Sequence, residues 1–284
     1  MIDIRTLENL GPDQLFNAFS RAFEDYEMQL EKHELEIMLQ RRGFDPLMSF
    51  GAFDRDQLVA FTFNGTGTFE GVETAYDTGT GTIKEYRGQG LAKRIFVNSI
   101  PTLKKAGIKQ YLLEVLQHNQ GAVALYRKLG FKVAREFFYF IQSKEILNSP
   151  AGLSDAGYSF QPLEVSDVVE GVDFSDFHPS WQNSVGSVIR GMSKFKAMTA
   201  TFQDNTVAYC IYEPDSGDIT ALAVDPAHRR HGVGTHLLKE VTSEISSAVV
   251  KVINIPTDAT GVVAFLSACG IHPAGKQYEM VKEL

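Results

Sequence analysis

Two stretches of this chain place an arginine ahead of closely spaced glycines, a pattern suited to gripping an anion. The first is Glu85-Tyr86-Arg87-Gly88-Gln89-Gly90-Leu91-Ala92, and the second is Ala227-His228-Arg229-Arg230-His231-Gly232-Val233-Gly234. Both reduce to Arg-x-x-Gly-x-Gly/Ala, and each follows a β-prone run and opens a helical pattern. Glycine lets the backbone turn tightly and bring its N–H groups close to a ligand. The helix behind the turn aims its unpaired N–H groups and positive dipole end at the same point. The chain therefore reads as two copies of one phosphate-cradling unit. The N–H groups of Gly88, Gln89, Gly90, Leu91 and Ala92 are the candidate cradle. Arg87, Lys93 and Arg94 stand where they could add charge-assisted contacts. For Lys93 and Arg94 a solvated helix face is an equal reading.

Two other phosphate loops do not fit. A dinucleotide-binding Rossmann loop has Gly-x-Gly-x-x-Gly after the first strand of its domain, whereas these loops come late and carry Arg in place of the first Gly. The P-loop sequence Gly-x-x-x-x-Gly-Lys-Ser/Thr is absent. With 284 residues, 44% of them hydrophobic and 20 of them Phe, the chain suits two domains of about 130–145 residues, each with a sizeable core. A net charge of −8 disfavours non-specific nucleic-acid binding. Cys210 and Cys269 sit in apolar surroundings and read as buried free thiols. No Cys/His spacing resembles a metal site. The start, Met1-Ile2-Asp3-Ile4-Arg5, lacks an apolar leader block, and no stretch approaches a membrane span. A cytoplasmic protein is expected, with no membrane, nucleic-acid or metal partner.

The elements that must position these loops repeat in order. Residues 12–30 read as an amphipathic helix and 31–42 as a second. A hairpin covers Leu47–Phe53 and Gln57–Asn64, and a β-run through Val72–Ile83 leads into the first loop and its helix, Leu91–Ala106. A strand at Tyr111–Leu116, a helix at Gly121–Leu129 and a β segment at Phe131–Ile141 follow. Residues 142–157, rich in small and turn-forming types, read as a linker. The second half then has a strand near Tyr158–Leu163, helices within 165–191 and a hairpin through Phe195–Tyr212. Ile219–Val224 leads to the second loop and its helix. A strand at Val249–Ile255, a helix at Gly261–Ala268 and a β-run at Gln277–Val281 complete it. The expected fold class is α/β (α+β layered), with domains at 1–141 and 158–284 around the 142–157 linker. Each domain is expected to hold a mixed, mostly antiparallel sheet flanked by helices.

After the first loop come Leu112-Leu113-Glu114-Val115, then Asn119, Ala122 and Ala124, then Leu125-Tyr126-Arg127-Lys128-Leu129-Gly130-Phe131. In order and spacing this resembles the second conserved block of the GNAT superfamily of acyl-CoA-dependent N-acyltransferases. The resemblance covers most of 1–141 and, a second time, most of 158–284, as in the tandem members of that superfamily. It implies acetyl-CoA as cosubstrate, its pyrophosphate on the Arg87–Ala92 loop. Its amide-bearing arm would lie along Asp77-Thr78-Gly79-Thr80-Gly81-Thr82, with Thr80, Gly81 and Thr82 in contact and the Gly content suited to a bulge or a close approach. A plain turn-rich strand is the alternative. Asn119 matches a position that bonds the arm, with a helix N-cap as the alternative.

Amine acetylation needs a neutral attacking amine and a proton for the departing thiolate. Tyr126 matches the position that supplies this proton, and a phenol can act as an acid at neutral pH; packing on the sheet is the other reading. Asp77, Glu73 and Glu114 are base candidates because their strands should border the cleft. Asp25 and Tyr26 could line the amine pocket. In the second half, aligning Gly270-Ile271 with Gly130-Phe131 puts Leu266 at the Tyr126 position and Ala259 at the Asn119 position. That half is expected to be degenerate: a CoA binder without the usual acid, or a structural relic. His228, His231 and His236 read as surface residues, and Trp181 as core of its own domain. The expected function is transfer of an acetyl group to a primary amine, from a small molecule or peptide, by a monomer or homodimer. The alternative is a non-catalytic CoA-binding or sensing module whose second domain serves a partner or structural role.

Overall fold

The computed structural model describes residues 2–25, 29–147, 157–171 and 174–284. In chain order the first elements are β1 (Ile2–Thr6), α1 (Pro12–Ala22), α2 (Lys32–Arg41), β2 (Phe50–Asp54), β3 (Gln57–Phe69) and β4 (Val72–Thr82). They are followed by α3 (Leu91–Lys105), β5 (Gln110–Leu116), α4 (Gln120–Lys128) and β6 (Lys132–Ser143). The later ones are β7 (Tyr158–Leu163), α5 (Val165–Gly171), α6 (Val185–Arg190), β8 (Lys196–Phe202), β9 (Asn205–Glu213) and β10 (Asp218–Val224). The chain ends with α7 (Val233–Glu244), β11 (Val249–Pro256), α8 (Thr260–Ala268) and β12 (Pro273–Glu283). Among the described residues no helix is long and apolar enough to cross a membrane.

Two compact units result. One comprises Met1–Ala134 with Tyr278–Leu284, the other Arg135–Gln277. The division differs from the chain-order boundaries expected from sequence at 135–141 and 278–284. Strand pairing is the physical reason. β6 runs antiparallel to β11 from Ser143↔Val249 to Phe137↔Pro256, which commits Arg135 onward to the second unit. The last strand ends beside β5, where Lys282 Nζ donates to Leu129 O and Leu284 N to Lys109 O. Of the expected linker, 148–156 lies outside the described residues; its start is the end of β6 and a short 3₁₀ turn at Lys144–Ile146.

In the first unit the strand order is β1-β2-β3-β4-β5-β12. The first four strands pair antiparallel, and β4 runs parallel to β5. The β3–β4 hairpin turns at Glu70-Gly71, both with left-handed φ (51° and 77°), the geometry that suits a tight hairpin between twisted strands. β1 was not anticipated from sequence, although its exposure alternates along the strand. The buried face of α1 (Leu15, Ala18, Ala22) packs with Phe53, Phe61 and Phe63. On α3, Leu91 and Ile95 pack with Ala52 and Val59, while Phe96 joins Tyr111, Tyr126 and Phe131. The helix expected over 12–30 stops at Ala22, and the Ala22 carbonyl, free at the helix end, accepts from Arg87 Nη2 at 2.9 Å.

The second unit orders its strands β6-β11-β10-β9-β8-β7, with β10 and β11 parallel. Cys210 and Cys269 are buried free thiols. Trp181 is 1% exposed within this unit, with the Arg190 guanidinium 5.2 Å above its ring. His228 and His236 are more enclosed than expected: His228 Nδ1 lies 3.0 Å from Tyr158 Oη, and His236 packs on Phe160.

Candidate functional site

The first loop does what its glycines predict. Gly88 and Gly90 take left-handed φ of 77° and 70°, a region that disfavours residues with a Cβ. Beyond the glycine and its immediate chain neighbours, no described atom lies within 4 Å of where a Cβ would stand on either one, so the turn is open above its backbone. Gly90 is the N-cap of α3, and the helical ladder starts with Arg94 N donating to Gly90 O at 3.1 Å. The N–H groups of Leu91, Ala92 and Lys93 precede that ladder and belong to the first turn, where helices lack internal partners. These features fit a diphosphate of the kind CoA carries.

Arg87 does something the sequence did not reveal. Its Nε donates to Thr82 O (3.1 Å), Nη2 to Ala22 O (2.9 Å) and Nη1 to Asp25 (2.8 Å). The guanidinium thus straps the loop to the end of α1 and the end of β4. Asp25, expected beside the amine, is the other half of this strap. Hydrogen bonds from Arg87 and then Lys84 hold its carboxyl below the usual range. Tyr26 lies outside the described residues. The second loop repeats the device: Arg229 Nε donates to Val224 O, Nη1 to Asp176 (both 2.8 Å) and Nη2 to Phe174 O (3.5 Å). Arg87→Met is expected to lower stability by about 1–2 kcal/mol, because the side chain is partly exposed and solvent offsets much of the loss. A thermal midpoint unchanged from the parent would remove the strap from the account. Lys93 is exposed, Arg94 Nη2 donates to Ile2 O, and Gln89 Nε2 lies 3.5 Å from Glu85 O.

Ahead of the loop, β4 and β5 part company. They pair only through Thr74↔Gln110, Ala75↔Tyr111 and Tyr76↔Leu112. The next residue of β4 is Asp77, and the one after it, Thr78, is an extra residue that skips its partner on β3. A bulge at this point bends the strand and opens the gap. Arg42, which no sequence signal singled out, fixes the bulge by donating from Nη1 to Thr78 O at 2.8 Å.

Asp77 and Tyr126 meet at the opening. Tyr126 Oη donates to Asp77 Oδ2 at 3.2 Å. Thr80 Oγ1 donates to the same oxygen at 2.8 Å and lies 3.0 Å from Thr62 Oγ1, while Gly79 N donates to Asp77 Oδ1 at 2.9 Å. Burial pushes the Asp77 carboxyl up to about 6, against the opposing pull of these hydrogen bonds. The Tyr126 ring is 7% exposed and stands edge-on to Phe96 and Phe131, both 5.7 Å away.

The other expected site residues have other placements. Glu114 is on β5, where its charge bears on the buried Tyr76 phenol. Glu73 sits at the closed end of the strand pair and accepts from Thr68 Oγ1, which takes it away from the opening. Asn119 caps α4, its Oδ1 accepting from Ala122 N at 3.1 Å. Gly81 is expected from sequence to allow close ligand approach. Its missing side chain instead makes room for α1, since a Cβ there would stand 2.7 Å from Phe61 and 2.9 Å from Ala22. Thr82 contributes its carbonyl to the Arg87 strap.

The second unit carries the same frame with different chemistry. Its bulge residue is Thr220, at the same remove from Arg229 as Thr78 is from Arg87. The residue before the bulge, Asp77 in the first unit, is Ile219. Leu266 takes the place of Tyr126, a match fixed by one shared bond: Phe131 N donates to Tyr126 O, and Ile271 N to Leu266 O. Ala259 replaces Asn119 and gives no side-chain cap.

Comparison with known proteins agrees with this duplicated frame. Residues 13–131 match the Acetyltransferase (GNAT) family, and residues 195–269 match an Acetyltransferase (GNAT) domain. A curated relative, N-alpha-acetyltransferase 30 of Schizosaccharomyces pombe, is 28% identical over 102 residues, 35% of this chain and 68% of that protein. N-alpha-acetyltransferase MAK3 of Arabidopsis thaliana is 30% identical over 34% of this chain and 50% of its own length. Mycothiol acetyltransferase of Thermobifida fusca is 28% identical over 46% of this chain and 44% of its own length. The chain thus spans about half the length of the latter two. Among solved structures, a tandem GNAT protein from the clavulanic acid biosynthesis pathway aligns over 100% of this chain and 98% of its own, with a TM-score of 0.76. A GCN5-related N-acetyltransferase from Sphaerobacter thermophilus aligns over 99% and 95%, with a TM-score of 0.73. Both are 14% identical and show the shared fold. This chain belongs to the GNAT family of acetyltransferases, a family of acyl-transferring enzymes, and carries two GNAT domains in tandem.

Proposed function

We propose that the first unit transfers an acetyl group from acetyl-CoA to a primary amine, with Asp77 and Tyr126 moving the protons. The observation that carries this reading is the Tyr126–Asp77 hydrogen bond, standing where β4 and β5 separate, on the strand that leads into the open glycine loop. Bound acetyl-CoA supplies an activated thioester. The loop amides of Gly88 to Ala92 hold its diphosphate, and the separated strands give its arm a place to pair. Asp77, as carboxylate, takes a proton from the amine nitrogen as the nitrogen attacks. Tyr126 gives its phenolic proton to the departing sulfur. The proton on Asp77 then passes along the 3.2 Å hydrogen bond to restore the phenol. One proton leaves nitrogen, one reaches sulfur, and both side chains return to their starting state. A carboxyl group near 6 suits this exchange, because it is largely ionised at neutral pH yet a strong enough base to hold a proton briefly.

The amine is best sought among peptide α-amines and small amino compounds, since the relatives' names cover both kinds. Thiol release from acetyl-CoA, measured across such a panel, tests the reading directly. Gly90→Glu is expected to abolish acetyl-CoA binding to the first unit and turnover with it. It places a side chain at φ 70° and a negative charge against the diphosphate. Unchanged turnover in that variant would remove the loop from the reaction.

A further inference from the structure

The second unit contains a cavity of about 540 Å³ at the opening between β10 and β11. Ile219 and Leu266, which replace the acid–base pair of the first unit, are both among its walls. They are 3% and 4% exposed, so a buried polar pair has become a buried aliphatic pair. Changing both partners together avoids stranding either one, which is why the frame tolerates the exchange. Val188, Val252, Val262 and Phe265 extend the apolar wall. Of the polar side chains on the walls, Thr220 donates to Asp218, Asn183 donates to Ile253 O, Asp176 accepts from Arg229 and Ser175 Oγ lies 3.5 Å from Tyr209 Oη, while His178 also lines the space.

The cavity adjoins the second glycine loop. Asp176 on its wall is the residue that straps Arg229, and a Cβ on Gly234 in the first turn of α7 would stand 3.4 Å from the Phe265 ring. Gly232 has φ 83°, like Gly90. Arg230 holds φ 67° where the first unit has Gly88, so an exposed cation stands at the turn in a conformation that residues with a Cβ seldom adopt. An anion-gripping turn therefore leads into a space with a mainly apolar wall, where Ile219 and Leu266 stand in place of the first unit's acid–base pair.

We propose that the second unit is a receptor for an acyl thioester of the CoA type whose aliphatic chain is longer than acetyl, bound in this cavity and not turned over. An acetyl group occupies little of a volume within the ~300–1,000 Å³ range of small-ligand sites. Each further buried methylene is worth about fourfold in affinity. The proposal shares with the proposed function the reading of the glycine loop as a diphosphate cradle, and it does not depend on catalysis in the first unit.

The test uses the full chain carrying Gly90→Glu, so that the first loop is closed, with octanoyl-CoA and acetyl-CoA as calorimetric probes. One equivalent of octanoyl-CoA is expected to bind at least about 30-fold more tightly than acetyl-CoA, a fraction of what six fully buried methylenes would give. The thioester is expected to be recovered intact in the presence of amines. Ala221→Phe and, separately, Val262→Trp fill the cavity from the strand and from the helix. Each is expected to lower octanoyl-CoA affinity to the acetyl-CoA level while keeping the parent's circular dichroism. Equal affinity for the two thioesters would overturn the proposal. So would unchanged octanoyl-CoA binding in a folded, cavity-filled variant. Loss of amine acetylation by the parent chain, with the octanoyl-CoA preference intact, would count against the first unit's function alone.

Discussion

Tyr126→Phe is expected to lower kcat by about 10²–10⁴-fold while changing the affinity for acetyl-CoA by less than about threefold. The variant removes one oxygen and leaves the ring, which packs edge-on against Phe96 and Phe131. The fold is therefore expected to persist, at a cost of about 1–2 kcal/mol for the hydrogen bond to a charged partner. The phenolic proton donor is then gone from the mouth of the strand gap, and the thiolate must leave unprotonated or wait for water. A second signature follows from the same bond. The Tyr126 hydroxyl helps hold down the Asp77 carboxyl, so its loss moves that carboxyl further upward. The acidic limb of the residual kcat–pH profile is expected to shift to higher pH in the Phe variant. A kcat within about threefold of the parent, or a profile that does not move, would take the phenol out of the mechanism.

The sequence exposed the loops and hid their straps, for a physical reason. Left-handed turns are local, so the spacing of Gly88, Gly90 and Gly232 could be read directly as backbone geometry. The strap is non-local. Arg87 looked like a phosphate ligand because nothing in the order of residues says that Ala22 O and Asp25 await it. The same limit hid the partner of the α1 end, where a distant guanidinium satisfies the Ala22 carbonyl. Asp77 and Tyr126 were each recognisable, one from a strand expected to border the cleft and one from a family position, yet their contact joins residues 49 apart. Arg42 and Thr62 gave no signal because each acts through a backbone or hydroxyl contact made only in the folded strands. The fate of β12 was beyond periodicity altogether, since alternation shows that a segment is a strand but not which edge it pairs with. Ile219 was in principle readable. Counting back from Arg229 as one counts back from Arg87 lands on an aliphatic residue where the first half has a carboxylate.

Asp77→Asn is expected to make the protein more stable at neutral pH and much less active, two effects with a single origin. The buried Asp77 carboxyl is raised from about 3.8 to about 6, mainly by loss of hydration. The folded state therefore holds this proton more tightly than the unfolded chain does. Its contribution to stability is fully present below about pH 3.8 and is lost as pH rises through about 6. By pH 7.5 this group has lowered folding stability by about 3 kcal/mol relative to low pH, where it is protonated in both states. Asparagine is close to isosteric and carries no charge, so at pH 7.5 the variant is expected to gain about 1–3 kcal/mol, read as a higher urea midpoint. At pH 4 parent and variant should nearly coincide. Activity moves the other way, because an amide cannot take the amine proton: kcat is expected to fall by at least about 10²-fold. In the parent, kcat/KM is expected to rise with pH through about 6 as the carboxyl ionises, and the Asn variant should lack that limb. A variant destabilised equally at both pH values would show that the carboxylate is held for structure, and full activity at pH 7.5 would show that the base lies elsewhere.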